Sequence, residues 1–281
     1  MTRPLRVLQL ANQPGPLVLF ERPVCDALRA AGAEVHLACM RVGALSPRLD
    51  EMGYRLHDLP AGPWGRLRTW IRLYRRLRRL LRDEQFDVMI VHTPVMSWIA
   101  RFAARGLVGT VIYLAHGLPF APNQSPMRYR TYRFIEKRLA RYTDAVLVMN
   151  QADDEACRQY RLTRTGGHCY KVPGVGVDVS FWAAPPDPGR LAQLDRDLAL
   201  DADRPVVLFL GRFIDAKRPA DVLAVARSVG PRAQFVLAGD GPLWDGIHQQ
   251  AGDVGNWVRV VPFSDDPHLL VHRSAVVVLP S

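Results

Sequence analysis

Short apolar runs that alternate with helical patterns constrain the fold of this 281-residue chain more than any other feature. The first seven runs have the pattern of strands, with helices between most of them. They cover residues 5–11, 34–40, 54–60, 86–93, 109–117, 144–150 and 168–173. Because strands that alternate with helices pair in parallel, this order predicts an α/β fold built on a parallel sheet.

A second series of strands follows a change in composition at Pro173. The stretch from 173 to 190 is rich in Pro and Gly and fits neither the strand period nor the helix period. A helix is predicted beyond it, over about 219–229. The strands of this second series are predicted at 206–211, 233–239, 257–263 and 275–280.

The two series predict two Rossmann-like domains. The first domain spans 1–180, residues 181–204 form a hinge or linker, and the second domain spans 205–281. The last apolar run ends close to Ser281, at the point where an open α/β sheet places functional loops beyond its strands. We therefore expect the second domain to be incomplete.

The charge of the chain is unevenly distributed. The formal net charge is +10, with +12 in residues 1–182 and −2 in residues 183–281. An anionic surface should therefore be met by the N-terminal part of the chain. The longest apolar region, residues 88–118, is interrupted by charged residues and glycines, so it cannot form one membrane-spanning helix.

The cysteines and the N-terminus indicate a reducing compartment. No secretory signal begins the chain, and the cysteines have no metal-type spacing. We therefore expect reduced thiols in a cytoplasmic protein. The four cysteines are Cys25, Cys39, Cys157 and Cys169.

Several classes of function are disfavoured by missing motifs. The first predicted turn carries only Gly15, between two prolines, whereas a dinucleotide fingerprint has three spaced glycines. We therefore expect a rigid loop here and no binding of NAD. No helix-turn-helix, zinc-ligand pattern or base-reading sheet motif is present, which disfavours nucleic acid as a partner. The absence of a GxSxG motif disfavours Ser/His/Asp catalysis. His268 and His272 have the spacing of a helical pair but no HExxH context, so we expect no metal site.

Two glycine-containing turns in the second half predict a phosphate site. One strand runs into Gly211 and Arg212, and Lys217 follows five residues later as one of only three lysines in the chain. Backbone N–H groups, a planar guanidinium and a lysine charge together suit the oxygens of a diphosphate. The alternative is that both cations are merely solvated at a helix start. The second turn, AGDGP at 238–242, is by itself only a turn signal.

A further candidate is His116, which ends a predicted strand and precedes Gly117. Ligands of α/β proteins bind beyond the carboxyl ends of strands, so this imidazole is placed for function. The alternative is an ordinary surface histidine at a strand end. His92 and Thr93 also end a strand, but no glycine accompanies them, and a functional role is less favoured there.

Residues 64–84 predict an amphipathic helix with one arginine-rich face. Eight arginines lie on that face, where an even spread of arginine along the chain would place about two. Such a helix can rest on an anionic membrane surface. A core-packed helix with solvated arginines is the alternative, and both descriptions can hold together. The candidate membrane residues are Arg68, Arg72, Arg75, Arg76 and Arg79.

In their order along the chain, several segments resemble the retaining glycosyltransferases of family 4, particularly the bacterial capsular and exopolysaccharide type. The resemblance covers nearly the whole chain. It implies the GT-B architecture, in which two Rossmann-like domains with parallel sheets face a cleft. The segments are AHGLPF (115–120), IEKRLARYTDAVLVMN (135–150), VPGVGVDVSFW (172–182), LGRFIDAKRP (210–219), AGDGP (238–242) and VVVLPS (276–281).

The resemblance also implies roles for single residues. Arg212 and Lys217, with Gly211, would bind the donor diphosphate in place of a divalent metal, so no cofactor is expected besides the nucleotide-diphosphate sugar. His116 would contact the donor sugar at the reacting centre as the catalytic residue, and Gly15 would lie in a loop facing the acceptor and the donor phosphates. The nucleotide would lie near Gly239, Asp240, Gly241 and Pro242.

The implied activity is transfer of a sugar, with retention, to a lipid-linked or polysaccharide acceptor in cell-surface polysaccharide biosynthesis. The protein would be cytoplasmic and peripheral on the inner face of the plasma membrane. Family members carry an acidic motif of two glutamates separated by seven residues, which would lie beyond Ser281 in a C-terminally truncated chain. The alternatives are a non-catalytic fragment or degenerate homologue, and a nucleotide-sugar epimerase of the same fold.

Overall fold

The chain forms two compact units, Met1–Gly176 and Val177–Ser281. Each unit contains one parallel sheet flanked by helices, which confirms the predicted α/β class. The computed structural model describes residues 3–43, 45–62, 66–120, 124–264 and 266–281.

The first unit is built on a seven-stranded parallel sheet with the order β3-β2-β1-β4-β5-β6-β7. Every strand lies within one of the predicted apolar runs. The strand order reverses between β1 and β4, so a crevice for ligands is expected at the carboxyl ends of these strands. The strands are β1 (Arg6–Leu10), β2 (Glu34–Cys39), β3 (Arg55–Asp58), β4 (Val88–His92), β5 (Thr110–Ala115), β6 (Ala145–Val148) and β7 (His168–Lys171).

Helices connect these strands, as parallel pairing requires. Apolar side chains of α4 and α5 pack with the strands into the largest buried cluster of the unit. A π-helical turn, Leu17–Glu21, joins α1 to α2. The helices are α1 (Pro14–Pro16), α2 (Arg22–Ala30), α3 (Ser46–Glu51), α4 (Leu67–Glu84), α5 (Pro94–Ala104), α6 (Pro126–Leu139) and α7 (Gln151–Tyr160).

The segment around Gly15, expected to be a rigid loop, is helical instead. Pro14 and Pro16 lie in the first helical turn, and the helical conformation continues through the π-helical turn into α2. Proline suits this position because the first N–H groups of a helix have no intrahelical partner and the fixed φ of the ring is helical. The expectation was wrong because prolines that break a helix interior also begin helices.

The second unit contains a four-stranded parallel sheet with the order β10-β9-β8-β11. Helix α10 begins and ends at the residues that the sequence predicts. The strands are β8 (Val206–Leu210), β9 (Gln234–Ala238), β10 (Val258–Val261) and β11 (Val276–Val277). The helices are α8 (Val179–Ala183), α9 (Pro188–Asp197), α10 (Pro219–Val229), α11 (Trp244–Val254) and α12 (Pro267–Arg273).

The segment expected as a hinge or linker belongs to this second unit in the structure. The division between the units follows Gly176, and α9 lies within the segment 181–204. Leu194, Leu198 and Leu200 pack beside a buried cluster that includes β8 and β9 side chains. The segment predicted as a linker therefore contains α9, which packs against this buried cluster.

Two of the four cysteines are not reduced thiols. Cys157 on α7 and Cys169 on β7 form a disulfide, with their Cα atoms 6.5 Å apart, whereas Cys25 and Cys39 are free and buried. The expectation of four thiols was wrong because the pairing depends on how α7 packs against β7, and no spacing rule reveals that contact. A Cα separation of this size is within the range that a disulfide bridges.

A buried ion pair connects α5 to α6 in the first unit. The side chains of Arg101 and Glu136 are fully buried, and an Arg101 guanidinium nitrogen lies 2.7 Å from a Glu136 carboxylate oxygen. The guanidinium also donates to Ser97 and Thr143, and the Trp98 indole N–H donates to Glu136. Every charged group in this network has partners, so removal of one ion would leave the other buried without compensation.

We predict that Arg101→Met destabilises the first unit by about 3–5 kcal/mol, the usual cost of an uncompensated buried charge. The double variant Arg101→Met, Glu136→Gln should recover part of this loss, because the introduced amide is uncharged and keeps an acceptor for the Trp98 indole. Urea unfolding followed by tryptophan fluorescence measures both changes. Equal stability of the single and double variants would contradict the uncompensated-charge explanation.

Candidate functional site

Two loops of the second unit lie directly against each other at the carboxyl ends of β8 and β9. The Phe213 N–H donates to the Asp240 carbonyl at 2.6 Å. A Cβ atom on Gly239 would lie 1.9 Å from the Gly211 carbonyl oxygen, and one on Gly241 would lie 2.5 Å from the Phe213 oxygen. Only glycine allows the two backbones to approach this closely. The structure thus brings the predicted diphosphate and nucleotide segments together.

The β8–α10 loop is anchored by Phe213, which is fully buried and stacks on Trp244 with ring centroids 5.5 Å apart. Arg212 and Lys217 flank this anchor, and both side chains are exposed. The Lys217 ammonium lies 3.3 Å from the Ser281 hydroxyl. Within the described ranges neither cation pairs with a carboxylate, so both are available to an anionic ligand.

A polar cluster lies at the carboxyl edge of the sheet in the first unit. His92 ends β4 and is fully buried, and its Nε2 lies 2.8 Å from the Gln9 side-chain oxygen on β1. Its Nδ1 lies 3.6 Å from an oxygen of Glu21, a residue that is itself only 1% exposed. Glu21 is the last residue of the π-helical turn, and such turns often occur at functional sites.

His116 lies at the solvent-facing side of this cluster, immediately after β5. Its ring stacks against His92, with centroids 5.6 Å apart, and lies at a tilt against Phe20, with centroids 5.8 Å apart. The structure therefore brings the predicted His116 together with His92, for which a role was less favoured. Gly15 lies in the helical segment that begins four residues after β1, at this same edge of the sheet.

Burial controls the ionisation of this cluster. It raises the pKa of Glu21 to about 7 and, with the nearby His116, lowers the pKa of His92 to about 3. Burial also lowers the pKa of His116 below its ordinary value. Near neutral pH both imidazoles are thus uncharged, and Glu21 is close to the midpoint of its titration.

The cluster is also the one group of the described residues that combines three possible metal-ligand atoms. One atom each from Glu21, His92 and His116 lie within 4.8 Å of one another. The expectation that the protein needs no metal stays a prediction.

The predicted arginine-rich helix is α4, and residues 64 and 65 of the predicted range lie outside the described residues. Its buried residues Leu73, Leu77, Leu80 and Leu81 pack into the core. Arg78 donates to two carbonyl groups near the end of α5, which ties it to the fold. Together with Ile71, five arginines line one surface depression of about 460 Å³: Arg68, Arg72, Arg75, Arg76 and Arg79.

An apolar groove of about 490 Å³ adjoins this surface, with Ile71 shared between the two. Its walls come from α4, α5 and α6, and include the exposed side chains of Phe102 and Phe134. The first unit thus presents cations and exposed apolar side chains next to each other. In the part of the chain that the structure describes, no helix has both the length and the hydrophobicity to cross a bilayer.

Glu21 was not among the residues predicted from the sequence, and a role for His92 was less favoured than one for His116. Glu21 lies in a segment that was expected to be a loop, and a buried carboxyl group gives no signal in a single sequence. The available signal for His92 was its position at the carboxyl end of a central strand, which it shares with His116.

Two family models together cover most of the chain. The first, described as glycosyl transferase 4-like domain, matches residues 22–166. The second, described as glycosyl transferases group 1, matches residues 192–281.

Curated relatives extend over nearly the whole chain. It is 27% identical over 271 residues to EpsD of Bacillus subtilis (strain 168), which is named as a glycosyltransferase, covering 93% of this chain and 69% of that protein. It is 24% identical over 263 residues to the UDP-Gal:alpha-D-GlcNAc-diphosphoundecaprenol alpha-1,3-galactosyltransferase of Escherichia coli, covering 88% of this chain and 65% of that protein. The chain therefore spans about two thirds of the length of these relatives.

Solved glycosyltransferase structures share the fold. HepE of Anabaena, in complex with UDP and glucose, superposes with a TM-score of 0.72 and 19% identity, covering 99% of this chain and 74% of that chain. A glycosyltransferase of Rickettsia africae superposes with a TM-score of 0.74 and 12% identity, covering 100% of this chain and 74% of that chain. With the two parallel sheets, these likenesses confirm the GT-B class of fold. The chain belongs to the glycosyl transferases, with a glycosyl transferase 4-like domain followed by a group 1 domain.

Proposed function

We propose that the chain transfers a sugar, with retention, from a nucleotide-diphosphate sugar to a lipid-linked or polysaccharide acceptor during synthesis of a cell-surface polysaccharide. The observation that carries the proposal is the pair of fixed loops in the second unit, where exposed Arg212 and Lys217 accompany the closely packed turn Gly239–Pro242. Retention follows from the resemblance to family 4.

The names of two similar proteins support the substrate classes. HepE is described in complex with UDP and glucose, which supports a uridine diphosphate donor. The Escherichia coli relative is named for a UDP-Gal donor and a diphosphoundecaprenol-linked acceptor, which supports a lipid-linked acceptor. We extend both substrate classes to this chain as part of the proposal.

The proposed mechanism relies on charge that develops on the leaving group. As the bond between the sugar and the diphosphate lengthens, negative charge accumulates on phosphate oxygen. Arg212 and Lys217 are held on a loop that Phe213 fixes, so they would stabilise that charge without rearranging. His116 would contact the sugar as an uncharged imidazole, in keeping with its lowered pKa.

We predict that Lys217→Ala and Arg212→Ala each weaken binding of UDP by ~10-fold, since each change removes one charge-assisted hydrogen bond. Isothermal titration calorimetry with UDP measures the effect directly. Arg227→Ala is the matched control, because it removes an exposed cation from the last turn of α10. An unchanged dissociation constant in both site variants would overturn the assignment of the diphosphate site.

Transfer itself requires a separate measurement. We expect Lys217→Ala to lower the rate of UDP release from a UDP-sugar, in the presence of a membrane lipid extract, by at least ~10-fold. The change removes one of the cations that stabilise the negative charge of the transition state. The anomeric configuration of the product, read by NMR, tests retention. Undiminished turnover by the variant would exclude the proposed mechanism, and an inverted product would exclude retention.

We further propose that the first unit binds peripherally to an anionic phospholipid membrane. The five arginines of the α4 depression form no hydrogen bond or ion pair with another side chain of the described residues, so their charge is not neutralised locally. The apolar groove beside them offers exposed Ile71, Phe102 and Phe134 to the hydrocarbon boundary. Adjacent cationic and apolar surfaces are typical of interfacial membrane contacts.

We predict that Arg72→Gln, Arg75→Gln, Arg79→Gln weakens binding to phosphatidylglycerol vesicles by ~10²-fold, at about 1 kcal/mol for each cation near the surface. Vesicle co-sedimentation at low salt measures this change. The matched control is the triple variant Arg130→Gln, Arg161→Gln, Arg227→Gln, which removes the same charge from exposed positions elsewhere. If the two triple variants lost vesicle binding equally, net charge and not the α4 surface would determine binding.

A further inference from the structure

A buried carboxyl group and a buried imidazole face each other behind His116. One oxygen of Glu21 lies 3.6 Å from Nδ1 of His92, and both side chains are almost completely inaccessible to solvent. Within the described residues, neither His92 Nδ1 nor the second Glu21 oxygen has a hydrogen-bond partner. At 3.6 Å the two atoms form no hydrogen bond. Two lone pairs that face each other in a buried site repel, whereas a proton between them would draw the two side chains into a hydrogen bond.

The contact with Gln9 determines where that proton resides. His92 Nε2 lies 2.8 Å from the Gln9 side-chain oxygen, and an amide oxygen can only accept a hydrogen bond. With the Gln9 amide in this orientation, Nε2 of His92 carries the hydrogen, which leaves a lone pair on Nδ1 of the neutral ring. A protonated Glu21 can donate to this lone pair, while an ionised Glu21 cannot.

Burial, and not a neighbouring charge, raises the pKa of Glu21. Cys25 of α2 interacts electrostatically with Glu21, and burial raises the pKa of its thiol to about 12, so it stays uncharged. On the β4 and β5 side the titratable groups are His92 and His116, whose pKa values are both lowered by burial. On β1 the facing group is the neutral amide of Gln9. This environment favours the protonated carboxyl group.

We propose that Glu21 and His92 hold one proton between them and thereby position His116. The ring of His116 is held between His92 and Phe20, and Phe20 precedes Glu21 in the same π-helical turn. When the proton leaves, the carboxylate faces the His92 lone pair. Repulsion then separates the two side chains, or a proton is drawn onto His116, and either change alters the group that contacts the sugar. Glu21 is thus a positioning residue, and its role rests on the proposed transfer reaction.

The pH dependence of transfer tests this role. We expect kcat/KM of the wild type to fall as the pH rises through about 7, where Glu21 loses its proton. Glu21→Gln keeps an N–H donor at every pH and cannot ionise, so its profile should be flat over that range, with a rate near the low-pH value of the wild type. Glu155→Gln, at a solvent-exposed position on α7, is the matched control and should keep the wild-type profile. A profile of Glu21→Gln that still falls through pH 7 would overturn the proposal.

NMR of the 281-residue chain provides a measurement that does not depend on activity. The side-chain ¹⁵N signals should show His92 protonated at Nε2 and not at Nδ1, and the Glu21 carboxyl carbon should titrate near pH 7. Titration of Glu21 near its ordinary range, or a hydrogen on Nδ1 of His92, would overturn the proposal even in an active enzyme. Stoichiometric Zn²⁺ binding that shifts the Glu21, His92 and His116 signals would also overturn it, in favour of a metal site. If these spectra agree but no sugar is transferred, the proton pair stands and the proposed function fails.

Discussion

Parallel strand pairing is the constraint on which the rest of this molecule depends. Parallel neighbours require crossover connections, so the carboxyl ends of all strands in a sheet lie at one edge. His92 ends β4 and His116 follows the neighbouring β5, while Gly211 and Gly239 follow neighbouring strands of the second sheet. Residues separated widely in the sequence are therefore brought together by topology before any side chain interacts.

The two candidate sites use electrostatics in opposite ways. In the second unit, exposed Arg212 and Lys217 keep their charge and lack acidic partners among the residues described, so their interaction energy is available to an anion. In the first unit, burial makes charge unfavourable, which keeps His92 neutral and raises the pKa of Glu21 to about 7.

The sequence predicted the strands well because buried parallel strands are short apolar runs bounded by turn residues, as in β5 and β8. Helix α10 was predicted to its exact ends since proline begins it and glycine follows it. Two features could not be predicted from a single sequence. The disulfide between Cys157 and Cys169 depends on packing, and the contact between Glu21 and His92 joins residues 71 positions apart. The role predicted for Gly15 was tied to a loop that the prolines around it instead turn into a helix start.

Stability alone does not explain a buried carboxyl group beside a buried imidazole. The raised pKa of Glu21 contributes to stability at acid pH, and this contribution is lost as the pH rises through about 7. The lowered pKa of His92 contributes above the ordinary histidine range, and that contribution is lost as the pH falls towards about 3. The Gln9 amide nitrogen is, moreover, buried without a partner in the described structure. Well-packed apolar side chains would avoid both pH-dependent losses of stability and the unpartnered amide nitrogen. Glu21 and His92 thus weaken the fold on both sides of neutral pH, and they adjoin the candidate sugar-contacting residue. The chemistry of the site explains their presence better than packing does.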